Sequence, residues 1–222
     1  MTTAILIPAR YASTRFPGKV MTPLNGVPMI EHIYKKCAAT GLDTYVLTDN
    51  QEVYNYLGAS KCLWTTEAEN GTERCMQVID EVLQYDRYIN VQGDMPDITA
   101  DIIRAVEKEL QKSDVATAYT PMDFNLRNDP NSVKMIHSRG RAHWFLRASL
   151  TYGDHHLGVY GYNREAKAMY NASTKFVEED IEKLEQLRWI QNGIKIGVVE
   201  VEFDGIEINT LEDLEKWNKK NA

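Results

Sequence analysis

The sequence predicts an α/β fold of the Rossmann-like type, in which helices cover both faces of a mixed, mostly parallel sheet. Through the first 120 residues, short apolar runs alternate with longer segments of helical periodicity, a pattern typical of parallel strands joined by crossover helices. With 222 residues, the chain is also long enough for one large α/β domain with its own core. We therefore expect a single domain over residues 1–222.

The elements of the first half follow this alternation in order. Residues 4–7 are all apolar and indicate a buried first strand, and Gly41 marks the end of the first helix. Short apolar runs and segments of helical periodicity likewise predict the other strands and helices. Strands are predicted at 3–7, 44–48, 88–91 and 115–119, and helices at 29–40, 51–57, 71–84 and 100–112.

The pattern changes after Pro130, where a hairpin is predicted around Ser138-Arg139-Gly140. Residues 177–191 predict one long amphipathic helix, because four apolar side chains would share a face. These four are Val177, Ile181, Leu184 and Leu187. The hairpin strands are placed at 133–137 and 142–145, further strands at 157–162 and 196–201, and a last helix at 211–219. We interpret residues 130–195 as a lateral subregion of the same domain.

The composition narrows the class of protein. No apolar run approaches the roughly 20 residues that cross a bilayer, and the opening residues lack the pattern of a secretory signal. We therefore expect no membrane partner. The three cysteines are odd in number and show no metal-type spacing, which predicts a reducing, cytoplasmic setting. A net charge of -7 argues against a nucleic-acid partner. It leaves room for a small anionic ligand at a local basic cluster.

Such a cluster follows the first predicted strand, in the stretch IPARYASTRFPGK. Arg10, Arg15 and Lys19 lie there, and ligands of parallel sheets bind beyond the carboxyl ends of strands. The single glycine excludes both a Walker loop and a dinucleotide-binding turn. Guanidinium and ammonium groups suit the oxygens of a di- or triphosphate. The alternative, a solvated loop paired with nearby acids, stays open at this point.

Two further stretches would lie at the same edge of the sheet. In NVQGDMP, Asp94 follows a strand and suits Mg²⁺, which takes one or two carboxylates together with substrate phosphates. A turn-forming aspartate is the alternative. In NGTER, Asn70 or Thr72 caps a helix, and the same helix start could line a nucleotide pocket.

A fourth stretch, DHHLGVYGY, contains two adjacent histidines that a strand would direct to opposite faces. His156 and Tyr160 are four residues apart and share one side. We interpret them as hydrogen-bonding groups for a polyol or a carboxylate and not as metal ligands. A half-buried structural strand is the alternative.

Taken together, these stretches resemble the CMP-Kdo synthetases (3-deoxy-manno-octulosonate cytidylyltransferases), and the similarity runs nearly end to end. Residues 7–19 match the family's opening pattern except at Phe16, which is usually leucine. The other matching blocks are GTER at 71–74, NVQGD at 90–94, PNSVK at 130–134, HLGVYGY at 156–162 and LEQLR at 184–188. The resemblance implies a GT-A-type nucleotidyltransferase, a homodimer, that joins CTP to the acidic sugar Kdo for lipopolysaccharide or capsule synthesis and releases pyrophosphate.

The resemblance also assigns roles to residues. Catalysis would depend on Arg10, Lys19 and Asp94, with Asp94 and Asn209 at an Mg²⁺ ion. The nucleotide would contact Pro8, Ala9, Arg10, Arg15, Lys19, Thr72, Arg74 and Gln92. The sugar would contact Gln92, Arg147, His156, Tyr160, Glu185 and Gln186. The chain departs from the family in three places. Asn209 replaces a metal-binding aspartate, Met95 replaces a glutamate, and the segment between Arg147 and His156 is markedly shorter.

These departures leave three hypotheses open. The first is CMP-Kdo synthesis, with Asp204 or Glu207 able to compensate for Asn209. The second is the same reaction on another acidic sugar, such as 8-amino-Kdo or a sialic-type acid. The third is a non-catalytic nucleotide-binding homologue. Pyrophosphate release with a panel of sugar acids would separate them.

Overall fold

The computed structural model describes residues 1–11, 16–79 and 83–221, and its residues form two compact units. The first comprises Met1–Ile103 with Asp204–Ala222, and the second comprises Arg104–Phe203. The strands are β1 (Thr3–Pro8), β2 (Pro23–Leu24), β3 (Val27–Pro28), β4 (Asp43–Thr48), β5 (Cys62–Trp64), β6 (Arg87–Val91), β7 (Val115–Thr120), β8 (Lys134–Ser138), β9 (Arg141–Leu146), β10 (Asp154–Asn163) and β11 (Ile196–Glu200). The helices are α1 (Met29–Ala38), α2 (Gln51–Leu57), α3 (Gly71–Met76), α4 (Ala100–Glu109), α5 (Arg164–Ala172), α6 (Val177–Glu182), α7 (Gln186–Gln191) and α8 (Leu211–Lys220).

The first unit is built on four parallel strands in the order β5-β4-β1-β6. Every residue of β1 is buried, as expected for a central strand that is covered on both faces. Parallel pairing brings the carboxyl ends of these strands to one edge of the sheet. Ala9, Thr48, Thr65 and Gln92 therefore lie at a common edge.

Asparagine and threonine caps fix where the helices of this unit begin. Asn50 accepts hydrogen bonds from the backbone at the start of α2, and Asn70 does the same for α3. Thr210 and Asp213 form a reciprocal capping box at α8. The segment before α8 is tied to the unit by Asp97, which accepts from the Ile206 N–H at 3.0 Å and the indole N–H of Trp217 at 2.9 Å.

The second unit is mainly antiparallel, with strands in the order β10-β7-β11-β9-β8 and a further pairing of β8 with β10. Only β7 and β11 are paired in parallel among its described strands. The mostly parallel sheet predicted from the sequence is therefore found in the first unit and not in the second. The predicted hairpin is confirmed as β8 and β9, joined through Arg139 and Gly140 at positive φ.

Two predicted helices are wrong in extent. The predicted helix 177–191 is two helices, α6 and α7, because Lys183 adopts a left-handed conformation with φ 55°. Leu184 and Leu187 are buried, but Val177 and Ile181 are 63% and 71% exposed, so the four apolar residues do not share one buried face. The predicted helix 71–84 ends at Met76, and residues 80–82 lie outside the described ranges. Helix α5 and strand β5 had not been predicted.

Across the residues that the structure describes, none of the helices has the length and apolar character that crossing a membrane requires.

Candidate active site

The backbone at the end of β1 is held rigidly by β4. The Ala9 N–H donates to the Leu47 carbonyl at 2.8 Å, and the Thr48 hydroxyl donates to the Ala9 carbonyl at 3.0 Å. Pro8 and Ala9 are both buried. The two residues predicted to frame a nucleotide through their backbone therefore stand at a fixed position.

An ion pair lies beside this strand end. The Lys19 ammonium is 2.9 Å from a carboxylate oxygen of Asp94, and the Lys19 side chain is 11% exposed while that of Asp94 is 26% exposed. Lys19 reaches Asp94 from a short turn that begins at Gly18 in a left-handed conformation. The predicted meeting of a basic loop residue with Asp94 is found for this pair. Arg10 is exposed and donates to the Glu69 carbonyl at 2.8 Å, and Arg15 lies outside the described residues.

Two glycines allow neighbouring backbone to pack closely against Pro8. A Cβ atom on Gly93 would stand 2.9 Å from the Pro8 carbonyl oxygen, which is closer than real Cβ contacts allow. A Cβ atom on Gly71 would stand 3.1 Å from the Pro8 ring and 3.2 Å from the amide group of Gln92. Gly71 and Gly93 are therefore in close contact with Pro8 and Gln92 at this edge of the sheet.

Arg74 is committed to contacts within the protein. It is 1% exposed, and its guanidinium donates to the Asp49 carboxylate at 2.6 Å and to the Thr65 hydroxyl at 2.5 Å. Thr72 is fully buried nearby in α3, which Asn70 caps. Both terminal nitrogens of the Arg74 guanidinium thus already donate within the protein, so Arg74 is not positioned for bidentate hydrogen bonds to a phosphate. Sequence reasoning missed Asp49 and Thr65, although each directly follows a strand at the ligand edge.

The segment before α8 brings Asn209 towards Asp94. The N–H of Ile208, one residue before Asn209, donates to the Asp94 backbone carbonyl at 2.9 Å. Asp213 is occupied by the capping box and accepts from the backbone N–H groups of Asn209 and Thr210. Asp204 is fully exposed and pairs with Lys220 at 3.4 Å. Asp204 is therefore paired at the surface, while the backbone next to Asn209 is hydrogen-bonded to Asp94.

The oxygen donors at this edge suit a magnesium ion. The described residues contain no group of three or more histidine, cysteine or acidic side chains that could enclose a metal. One carboxylate, Asp94, and one amide oxygen, Asn209, are nevertheless the kind of donor set that Mg²⁺ accepts when substrate phosphates and water complete its shell. The residues present therefore fit a metal that is shared with a phosphorylated ligand.

In the second unit, His156 and Tyr160 lie on β10 and are 4% and 1% exposed. The Thr117 hydroxyl donates to the Val159 carbonyl at 2.8 Å and has no second hydrogen, so it accepts from His156 Nε2 at 2.8 Å. Burial lowers the pKa of His156 to about 3. The imidazole is therefore neutral, with Nε2 protonated and Nδ1 left as an acceptor.

The other predicted sugar contacts of this unit lie near the ends of β9 and α6. The Arg147 N–H donates to the Glu182 carboxylate at 2.6 Å, and its side chain donates to the Glu182 and Pro130 carbonyls at 2.9 and 3.0 Å. Glu185 directly precedes α7, and Gln186 begins it. The Gln186 side-chain oxygen is buried without a hydrogen-bond partner in the described structure. An unpaired acceptor of this kind suits a hydroxyl donor from a ligand.

Comparison with known proteins gives first the class and then the family. The fold matches nucleotidyltransferases: a putative glucose-1-phosphate thymidylyltransferase from Bacillus anthracis superposes with a TM-score of 0.73 at 15% identity, over 99% of this chain and 95% of that one. A CMP:2-keto-3-deoxy-manno-octonic acid synthetase complexed with CTP superposes with a TM-score of 0.91 at 30% identity, over 100% and 99% of the two chains. The sequence model of the cytidylyltransferases matches residues 4–196.

Curated relatives agree with that match over their whole length. The 3-deoxy-manno-octulosonate cytidylyltransferase 2 of Hydrogenovibrio crunogenus is 37% identical over 97% of this chain and 96% of its own. The 8-amino-3,8-dideoxy-manno-octulosonate cytidylyltransferase of Shewanella halifaxensis is also 37% identical, over 96% of both chains. This chain belongs to the cytidylyltransferase family. The resemblance inferred from the sequence blocks is confirmed.

Proposed function

We propose that this protein transfers CMP from CTP to Kdo and releases pyrophosphate, and that the product supplies Kdo for a surface polysaccharide. The observation that carries the proposal is the Lys19–Asp94 ion pair at the carboxyl edge of β1 and β6, whose ammonium and carboxylate groups are 2.9 Å apart. Full-length relatedness to enzymes named for this reaction supports the choice of nucleotide and sugar.

The reaction joins two anions, and the proposed roles of the residues follow from that. The anomeric hydroxyl oxygen of the sugar forms a bond to the α-phosphorus of CTP, and the bond from that phosphorus to the β-phosphate bridging oxygen breaks. The hydroxyl proton leaves to solvent, and pyrophosphate departs. Lys19, Arg10 and Arg15 would neutralise the phosphate oxygens and align them for in-line attack, which is most of what this transfer requires.

The rest of the edge would bind the nucleotide. The fixed backbone of Pro8 and Ala9, with Thr72 and Gln92, would surround the nucleoside, while Asp49 and Thr65 hold Arg74 against the same wall. Asp94 and Asn209 would hold Mg²⁺. When bound, this ion would neutralise phosphate charge and lower the pKa of an oxygen that it contacts.

The sugar acid would bind through residues of the second unit. We propose that Arg147 faces its carboxylate, that His156 Nδ1 and Gln186 accept from its hydroxyl groups, and that Tyr160 and Glu185 complete the contacts. A GT-A-type fold, a homodimer, a cytoplasmic location and the absence of a nucleic-acid partner are also part of this proposal.

One relative favours a second candidate substrate, 8-amino-Kdo, because it carries that name at the same 37% identity. The test is pyrophosphate release from CTP and Mg²⁺ with Kdo, 8-amino-Kdo and a sialic acid, with UTP in place of CTP as a control. We expect pyrophosphate release with the pair Kdo and CTP, and no release with the other acids or with UTP. Release only with another acid would change the substrate, and CTP binding without release from any acid would identify a non-catalytic homologue.

Asn209→Asp is expected to lower the Mg²⁺ concentration that gives half-maximal activity. An aspartate here would add a negative charge next to Asp94, and each added carboxylate strengthens the binding of a hard cation; we expect a shift of about tenfold. The measurement is the initial rate of pyrophosphate release across a magnesium titration. Asp204→Asn serves as the matched control and should leave the curve unchanged, because Asp204 is paired with Lys220 at the surface. An unchanged curve for Asn209→Asp would place Asn209 away from the metal.

A further inference from the structure

The PNSVK block contains a charged residue to which the proposed mechanism gives no role. Lys134 opens β8 and is 0% exposed, although lysine is rarely buried completely. Its ammonium donates to two backbone carbonyl oxygens, those of Asp129 at 2.5 Å and of Arg147 at 3.1 Å. One buried side chain therefore joins the turn before β8 to the end of β9.

This ammonium has no carboxylate in contact with it among the described residues. The nearest acids are already occupied. Asp129 accepts from the Asn131 N–H and the Ser132 hydroxyl, and Glu182 accepts from the Arg147 N–H. Burial lowers the pKa of Lys134, while Asp129 and Glu182 oppose that shift from a distance. With carbonyl oxygens as its contacts and carboxylates only at a distance, this buried charge would be stabilised by an additional counter-charge.

Arg147 places a second positive charge beside it. Its guanidinium reaches the Pro130 and Asn131 carbonyls of the turn whose Asp129 carbonyl Lys134 also holds. The charges of Lys134 and Arg147 each lower the pKa of a histidine on β10. After burial, Lys134 is the largest cause that lowers the pKa of His155, to about 4, and Arg147 contributes to the low pKa of His156. The two cations thus create a positive region next to the strand that carries His156 and Tyr160.

We propose that Lys134 is a positioning residue for the sugar substrate, holding Arg147 in place and supplying positive charge that selects a sugar bearing a carboxylate. Lys134 does not touch the sugar itself, because it is fully buried. It acts through the backbone of Arg147 and through its field, which Asp129 and Glu182 offset only in part, and the carboxylate of the substrate provides a further counter-charge. This inference rests on the proposed function.

The experiment compares the binding of Kdo with that of its neutral methyl ester. Dissociation constants are measured by calorimetry with a CTP analogue whose α–β bridging oxygen is a methylene, for the wild-type protein and for three variants. Lys134→Met removes the charge and the hydrogen bonds. Lys134→Gln removes the charge but keeps N–H donors, and it replaces the first variant if that one does not fold. Lys195→Met is the matched control, since Lys195 is an exposed lysine of the same unit.

The wild type is expected to prefer the acid over the ester. In both Lys134 variants this preference should fall about tenfold, because a unit charge at short range in a poorly solvated site contributes on that scale, while Lys195→Met should keep the preference. If acid and ester weaken by the same factor, or neither weakens, Lys134 supplies no selective charge and the proposal is overturned. If the wild type binds neither compound and releases no pyrophosphate, the proposed function fails, and the role of Lys134 fails with it.

Discussion

Asp94→Asn is expected to reduce the rate of pyrophosphate release about a thousandfold, the scale seen when a preorganised charged group is removed from a transferring phosphoryl group. Asparagine keeps the size of the side chain but removes the negative charge that pairs with Lys19 at 2.9 Å. It would also remove the only carboxylate proposed to hold the metal. Stability should change little, because the Asp94 side chain is 26% exposed and partly exposed ion pairs contribute little to folding.

The measurement is the initial rate at saturating CTP and sugar acid, accompanied by thermal unfolding of the same samples. Asp101→Asn is the control, because Asp101 is an exposed carboxylate in the first turn of α4 and has no proposed role. The control should retain full activity. A variant at Asp94 that keeps more than a tenth of the wild-type rate would remove this residue from the catalytic centre.

The parallel core was predictable because its strands are continuous apolar runs. Residues 3–7 and 88–91 were placed within one residue of β1 and β6, and the pattern also placed Asp94 beside the end of β1. Strand β5 was not predicted because it spans only Cys62–Trp64, which is too short to show the alternation of a strand. Without β5, Thr65 could not be recognised at the ligand edge. The hydrogen bonds of Arg74 to Asp49 and Thr65 could not be predicted either, because they join residues that are far apart in the sequence.

The helix predicted at 177–191 shows how tertiary contacts override periodicity. The apolar residues at helical spacing favour one continuous helix, yet the chain turns at Lys183 and exposes two of them. The turn lets Glu179 of α6 meet Arg188 of α7 in a buried ion pair. Sequence spacing cannot show such a pair, because 179 and 188 would lie on different sides of a straight helix.

Glu179→Ala is therefore expected to destabilise the protein by about 3–5 kcal/mol, the cost typical of removing one partner of a buried ion pair. Glu179 and Arg188 are 3% and 9% exposed, and the guanidinium donates to both carboxylate oxygens, at 2.8 and 2.6 Å. Arg188 also stacks over the Tyr170 ring at 4.0 Å, so its displacement would disturb the aromatic cluster around Trp189. Urea unfolding followed by tryptophan fluorescence measures the loss, since Trp189 is fully buried there.

The matched control is Asp180→Ala, the next residue of α6, whose carboxylate pairs with Lys175 at 2.8 Å but is 56% exposed. Water screens this pair, so its removal should leave the unfolding midpoint unchanged. The Glu179 variant should also raise the KM for the sugar acid while leaving the KM for CTP unaltered, because α7 begins with Gln186 and the proposed nucleotide contacts lie in the other unit. Equal unfolding curves for the two variants would show that the Glu179–Arg188 pair does not hold α6 and α7 in place.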